Sequence, residues 1–255
     1  MVDPALLLPD GIGASAAALL VIASFFTSAV TASFGLGGGV MMLALMGLFV
    51  PVTALIPVQG LVQLGSNTGR AYVQRAHVRR SIMTPFLAGS LIGAIVGGYT
   101  VVQLPDALMK TMLGAFILVI TWVKIPGLKS LGNAGLAISS GIISCLSMFL
   151  GATGPLMVSV LGAMIHDDRK ALVATSAAAM TVHHGLKVIV FGIAGFAFGD
   201  WLPLIAAMIA TGYAGTLTGS KLLSRIPEDK FRLAFKIILT LLALQMLFRG
   251  LYPTV

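Results

Sequence analysis

Two groups of polar side chains, each ending in a cation, interrupt apolar stretches of the chain and together could bind an oxyanion. The first group is Gln59, Gln63, Ser66, Asn67 and Arg70. The second group is Ser176, His183, His184 and Lys187, and its lysine follows Arg70 by 117 residues. Because a helix places residues three and four apart on one face, each group is predicted to form a polar stripe. Amides, hydroxyls and cations are the groups that hydrogen-bond to the oxygens of an anion and neutralise its charge.

The two cations have no counter-ion that the sequence can identify. All eight acidic residues lie at the termini, in predicted loops or at predicted helix ends. A charged side chain within a membrane span is costly and is by default functional. The sequence therefore predicts that an anionic substrate is the counter-ion. Alternatives stay open, since Arg70 or Lys187 could extend to the membrane surface and both histidines could be ordinary core residues.

Two glycine-rich breaks, Ser-Phe-Gly-Leu-Gly-Gly-Gly at residues 33–39 and Phe-Leu-Gly-Ala-Thr-Gly-Pro at residues 149–155, are predicted to complete the site. Glycine and proline disfavour helix interiors, and irregular backbone at membrane depth is tolerated only where it is buried or lines a cavity. Backbone N–H groups in such a turn, followed by a helix N-terminus, favour an anion. The alternative is that the glycines serve only close packing. The predicted site residues from the breaks are Gly37, Gly38, Gly39, Gly151, Thr153 and Gly154.

These groups lie in a chain whose composition is that of a membrane protein. Of its 255 residues, 58% are hydrophobic and 9% are charged, whereas soluble domains carry about 25% charged residues. Since an apolar helix of about 20 residues spans a bilayer, we predict an all-α integral membrane protein with eight full transmembrane helices and two re-entrant half-helices. The full helices are predicted at residues 12–33, 53–73, 82–103, 106–123, 134–150, 169–192, 201–223 and 230–249, and the half-helices at 40–50 and 156–165.

The two halves of the chain carry the same order of segments, which predicts a first transmembrane repeat at residues 1–127 and a second at residues 128–255. Gly93 and Gly215 occupy equivalent positions in the two halves and are predicted to pack helices together. Basic residues cluster in loops on one side of the predicted membrane, and the positive-inside rule makes that side cytoplasmic. Five segments in each repeat then invert the second repeat relative to the first and place both termini on the outer side.

The breaks and the repeat carry a resemblance to a known family. The Phe-Gly-x-Gly-Gly-Gly element at residues 34–39, the Gly-x-x-Gly-Pro element at residues 151–155, the two-fold repeat and the chain length are similar to those of the TauE/SafE sulfite and organosulfonate exporters. The resemblance covers nearly the whole chain. It implies a small oxyanion as substrate, such as sulfite or a short organosulfonate like sulfoacetate. The second element has Ala152 and Thr153 where the first has glycine, so the two breaks differ chemically.

Residues and resemblance together predict a secondary transporter of the inner membrane that exports this anion by alternating access. If transport is coupled to protons, His183 and His184 are the predicted carriers, because histidine titrates near neutral pH. The predicted partners are the anion, membrane lipid and, through the glycine stripes, a second copy of the chain. No enzymatic activity, cofactor, metal or nucleic acid is expected, since the chain has no phosphate-loop, zinc-protease or hydrolase motif. An anion channel and a membrane subunit that delivers a sulfur species to a soluble enzyme remain alternatives.

Overall fold

The structure, a computed structural model, describes residues 8–9, 11–34, 37–101, 105–123, 132–165, 168–222 and 228–252. These ranges form helices and connecting turns and contain no β-strand, which confirms the prediction of an all-α protein. The helices are α1 (Ala14–Phe34), α2 (Gly38–Phe49), α3 (Val52–Val73), α4 (Met83–Val101), α5 (Asp106–Trp122), α6 (Asn133–Leu150), α7 (Gly154–Gly162), α8 (Arg169–Ile193), α9 (Leu202–Leu222) and α10 (Glu228–Leu251). Short 3-10 turns occupy Arg75–His77, Arg80–Ile82 and Phe198–Trp201.

Helix length divides these elements into eight long helices and two short ones. The short helix α2 has 12 residues and α7 has nine, whereas a full crossing takes about 20. Six helices are long and apolar enough to cross a membrane, namely α1, α4, α6, α8, α9 and α10. Of the other two long helices, α3 has 22 residues and bears the first polar group, while α5 has 17 residues. All ten predicted segments form helices, and their division into eight spans and two re-entrant helices stays a prediction.

The long helices pack in four main pairs, each of which joins the first half of the chain to the second. Helix α1 packs against α9, α4 against α6, α3 against α8, and α5 against α10. At two tight crossings, a Cβ on Gly93 would overlap the carbonyl of Gly141, and one on Gly215 would overlap the carbonyl of Phe25. The prediction that these two glycines pack helices is confirmed. They do so within one chain, so the predicted homodimer cannot rest on these two contacts and stays a prediction.

The C-terminal end of the short helix α2 is held by α10. Arg249 Nη1 donates a hydrogen bond to the carbonyl oxygen of Leu48 at 2.9 Å. The last carbonyls of a helix have no partner within the helix and form the negative end of its dipole, so a cation is favourable there. The contact gives a structural role to an arginine that lies outside the predicted clusters of basic residues.

The start of α8 is fixed by Asp168. Its Oδ1 accepts a hydrogen bond from Ala171 N at 2.9 Å, the arrangement of a helix N-cap. Arg79 Nη2 lies 3.9 Å from Asp168 Oδ2, and Arg79 N donates to Thr175 Oγ1 at 3.0 Å. The hydrogen bond from Ala171, together with a smaller contribution from Arg79, lowers the pKa of Asp168. These contacts join the loop that follows α3 to the first turns of α8.

Replacing Asp168 with alanine is expected to lower the melting temperature of the purified protein at pH 7, and Asp168→Asn, which can still cap the helix, is expected to lower it less. Because the folded-state pKa is lowered, the ionised carboxylate stabilises the fold above the ordinary pKa of 3.8, and this contribution is lost as the pH falls through the lowered value. The deficit of Asp168→Ala should therefore shrink in strong acid. Thermal unfolding in detergent measures it, and equal melting temperatures for all three proteins at pH 7 would contradict the prediction.

Candidate functional site

The two glycine-rich breaks form sharp turns between a long helix and a short one. Gly37, which precedes α2, has φ +100°, and Gly151, which follows α6, has φ +70°. Residues with a side chain rarely adopt this left-handed backbone conformation, so glycine is required at both turns. The short helices begin directly afterwards, α2 at Gly38 and α7 at Gly154, with a proline in the first turn of α7. Residues 35 and 36 of the first predicted break lie outside the part of the chain that the structure describes.

A cavity of about 350 Å³ lies between these breaks and the polar helices α3 and α8. Its volume is that of a small-molecule site, which typically measures about 300–1,000 Å³. Nine of the predicted site residues line it, namely Gly37, Gly39, Gln59, Gln63, Asn67, Arg70, Gly154, Ser176 and His184. The other six, Gly38, Ser66, Gly151, Thr153, His183 and Lys187, are not among the lining residues.

Several buried polar atoms in the cavity have no hydrogen-bond partner within the described residues. Gln59 is fully buried, and neither its Oε1 nor its Nε2 is paired. The same holds for Ser176 Oγ, His184 Nδ1 and Arg70 Nε. Leaving a buried polar group unpaired costs about 1–3 kcal/mol, and native proteins keep few such groups without a functional reason. Four side chains with unpaired polar atoms around one cavity therefore indicate a site for a polar ligand.

The cation of the cavity is held in place by its neighbours on α3. Arg70 Nη2 donates to Asn67 Oδ1 at 2.9 Å, and Asn67 Nδ2 donates to the carbonyl oxygen of Gln63 at 2.8 Å. Among the described residues no Asp or Glu lines the cavity. The ion pair between Arg79 and Asp168 lies on the protein surface, away from the cavity lining. The described side chains also include no cluster of His, Cys, Asp and Glu that could hold a metal. The described residues that line the cavity therefore carry one arginine and no carboxylate.

The adjacent histidines of α8 lie in different surroundings. His184 lines the cavity, whereas the Nε2 of His183 lies 2.9 Å from Ser90 Oγ on α4 and its ring stacks on Phe86 at a centroid distance of 5.1 Å. The two rings leave α8 in directions about 100° apart, and of the two histidines His184 is the one among the residues that line the cavity. His183 therefore lies in the core away from the cavity lining, with its Nδ1 unpaired among the described residues.

Three other predicted residues are buried without lining the cavity. Gly38 lies so close to α1 that a Cβ would overlap the carbonyl of Thr27. Thr153 is buried before α7 and makes no capping hydrogen bond through its side chain. Lys187 is fully buried, and its Nζ donates to the carbonyl oxygen of Gly151 at 2.7 Å. The alternative that Lys187 extends to the membrane surface is wrong.

Comparison with known protein families shows which family the sequence belongs to. The sequence model described as "Sulfite exporter TauE/SafE" matches residues 20–246, which is most of the chain. The chain belongs to the TauE/SafE family. TauE/SafE proteins are membrane exporters of sulfite or related anions, and they are transporters rather than enzymes. No curated protein and no solved structure matches the chain.

Sequence reasoning missed one wall of this TauE/SafE cavity. Tyr213, Thr216 and Leu217 of α9 line it, together with Val158 of α7 and Val173 of α8. Most of these side chains are apolar and lie in apolar stretches, so nothing in their spacing distinguishes them from membrane-facing residues. The cavity therefore has polar groups along α3 and both polar and apolar groups on the helices that face it.

Proposed function

We propose that this TauE/SafE protein is a secondary transporter that exports a small oxyanion, sulfite or a short organosulfonate such as sulfoacetate, by alternating access. One observation carries the proposal: unpaired donors and a cation converge on a cavity that no described carboxylate lines. A cationic site without a protein counter-ion repels cations and attracts anions. Tetrahedral and pyramidal oxyanions accept several hydrogen bonds at once, which matches the number of donors present.

In this proposal Arg70 neutralises the anion and the neighbouring polar groups bind its oxygens. The guanidinium of Arg70 presents planar, charged donors that suit an oxyanion. Gln59 Nε2, the Ser176 hydroxyl and the amide side chains of Gln63 and Asn67 provide neutral donors. The N-termini of α2 and α7 add the positive ends of two helix dipoles. Ser66 and His183 do not line the cavity, and the scheme gives them no contact with the anion.

We further propose that residues 1–127 and 128–255 form inverted repeats with eight full spans and two re-entrant helices. The helix pairing supports this architecture, because exchanging the halves turns the α1–α9 pair into α6–α4 and leaves the α3–α8 and α5–α10 pairs unchanged. The contacts of Arg79 with Asp168 and Thr175 support a shared side for the basic loops after α3 and before α8. With that side cytoplasmic, both termini face outward from the inner membrane.

The test is uptake of labelled sulfite and sulfoacetate into proteoliposomes that contain the purified protein, with empty liposomes as the control. A carrier is expected to give saturable flux that an anion on the opposite side accelerates by counter-flow, whereas a channel gives neither. Repeating the assay with an imposed pH gradient tests proton coupling, for which His184 is the cavity-lining candidate. Absence of flux for both anions would contradict the substrate assignment.

A further inference from the structure

Lys187 connects three elements of the fold without lining the cavity. Its Cα lies on α8, and its Nζ donates to the carbonyl oxygen of Gly151, the residue that ends α6. Its stem lies against Gly60 of α3, where an added Cβ would come within 2.9 Å of Lys187 Cδ. The side chain is fully buried, and the described residues place no carboxylate in an ion pair with it. Burying a lysine within a membrane span costs free energy, so such a residue is by default functional.

The bond acts on the backbone that shapes the cavity. Gly151 has left-handed geometry and forms the turn between α6 and α7, and its carbonyl lies at the negative end of the α6 dipole. The next residues along the chain include Ala152 and Gly154, both of which line the cavity. A charge-assisted hydrogen bond to Gly151 therefore fixes the peptide from which these two lining residues follow.

We propose that Lys187 is a positioning residue, which acts on the anion site through the Gly151 turn rather than by contact with the anion. The inference deepens the proposed function and rests on it for the identity of the site. Lys187 then determines how Ala152 and the N-terminus of α7 face the cavity, while Arg70 supplies the cation that meets the substrate.

The proposed repeat explains why two equivalent cations have different roles. Position 177 on α8 is equivalent to position 60 on α3, at the same spacing of 117 residues that relates Lys187 to Arg70. Gly60 leaves a slot in which the lysine stem lies flat on α3. Ala177 has a methyl group in the corresponding place and lines the cavity. Arg70 therefore has no matching slot, and its side chain stays at the cavity.

The experiment measures the shape of the turn directly, in the absence of substrate. Since Cys145 is the single cysteine, Cys145→Ser combined with Ala152→Cys gives one reporter thiol on the cavity wall. Its labelling rate by a small neutral thiol reagent is compared with and without Lys187→Met, which keeps an apolar stem and removes the ammonium. Losing one charge-assisted hydrogen bond is expected to raise the labelling rate about tenfold. Arg75→Gln should leave this rate unchanged, because Arg75 is exposed and is not among the residues that line the cavity.

Gly60→Ala is the second variant, because its methyl group displaces the lysine stem and leaves the charge in place. It is expected to raise the labelling rate in the same direction, and it carries the test if Lys187→Met does not fold. Gly185→Ala is the matched control on α8, since its Cβ would meet only Leu64 Cδ1 at an ordinary 3.9 Å. It should match the parent protein in labelling.

The outcomes separate this inference from the proposed function. Faster labelling in Lys187→Met or Gly60→Ala supports the positioning role, whether or not sulfite is transported. Unchanged labelling in every variant that folds, with a raised KM for sulfite in Lys187→Met, would make Lys187 a direct ligand and overturn the inference. Absence of sulfite flux in the parent protein would contradict the proposed substrate. The labelling rates would still decide whether Lys187 positions the Gly151 turn.

Discussion

Arg70→Gln is expected to raise the KM for sulfite about 10- to 100-fold in proteoliposome uptake. The reason is that a hydrogen bond to a charged group contributes about 1.5–3 kcal/mol, and each 1.4 kcal/mol changes a binding constant about tenfold. Arg70 is the cavity-lining cation among the described residues, and its Nε is buried without a partner. Glutamine keeps some polarity and length but leaves the anion without a counter-charge.

Two further variants show whether the effect belongs to the site. Arg70→Lys keeps the charge and loses the planar fork, so its KM should fall between those of the parent and Arg70→Gln. Arg75→Gln is the matched control, because Arg75 is an exposed residue that stacks over Tyr72 at 4.6 Å. Its KM should stay near that of the parent at physiological salt. Equal effects of Arg70→Gln and Arg75→Gln would mean that Arg70 only contributes to surface charge.

Gly38→Ala is expected to be the most damaging single-methyl change in the first break. The new Cβ would overlap the carbonyl of Thr27 and the hydroxyl of Thr31, so α2 must move away from α1. Overpacking of this kind costs about 1–3 kcal/mol, which for a protein of this size lowers the melting temperature by about 2–12 °C. Because Gly37 and Gly39 line the cavity on either side, uptake of sulfite should fall as well.

Gly162→Ala is the control for this prediction. Gly162 is the last residue of the other short helix, α7, and an added Cβ would have no heavy atom of the described chain within 4 Å. Alanine is expected there to be neutral or slightly stabilising, because it restricts the unfolded chain. Thermal unfolding in detergent and uptake in proteoliposomes compare the two variants. A melting temperature of Gly38→Ala equal to that of Gly162→Ala would refute the tight contact between α1 and α2.

The helices could be predicted from the sequence because glycine, proline and charged residues mark where an apolar helix must end. The break before α2 and the break before α7 were both predicted in this way, and both contain a left-handed glycine. Helical spacing also predicted that Gln59, Gln63 and Arg70 share one face, and the structure places all three along the cavity. These results depend only on local chain geometry.

The features of the site that were not predicted depend on which helix packs against which face of its neighbour. A local stretch of sequence does not contain that information. His183 and His184 are neighbours of the same type, yet one contacts Ser90 on α4 and the other lines the cavity. Lys187 matches Arg70 in spacing, but Gly60 on a different helix gives its stem a place to lie. The α9 wall could not be predicted because an apolar side chain at a cavity and one facing lipid look the same in sequence.

A cavity lined by a cation and by no described carboxylate also determines how such a carrier would be powered. If sulfite or a sulfonate leaves the cell without a companion ion, each cycle moves negative charge outward. An interior-negative membrane voltage performs that electrical work, at about 2.3 kcal/mol per elementary charge for every 100 mV. This energy sustains an outward concentration ratio of about 40 for a monovalent anion. A site without a carboxylate among its described lining residues would then allow a cell to expel the anion by using a voltage that it already maintains.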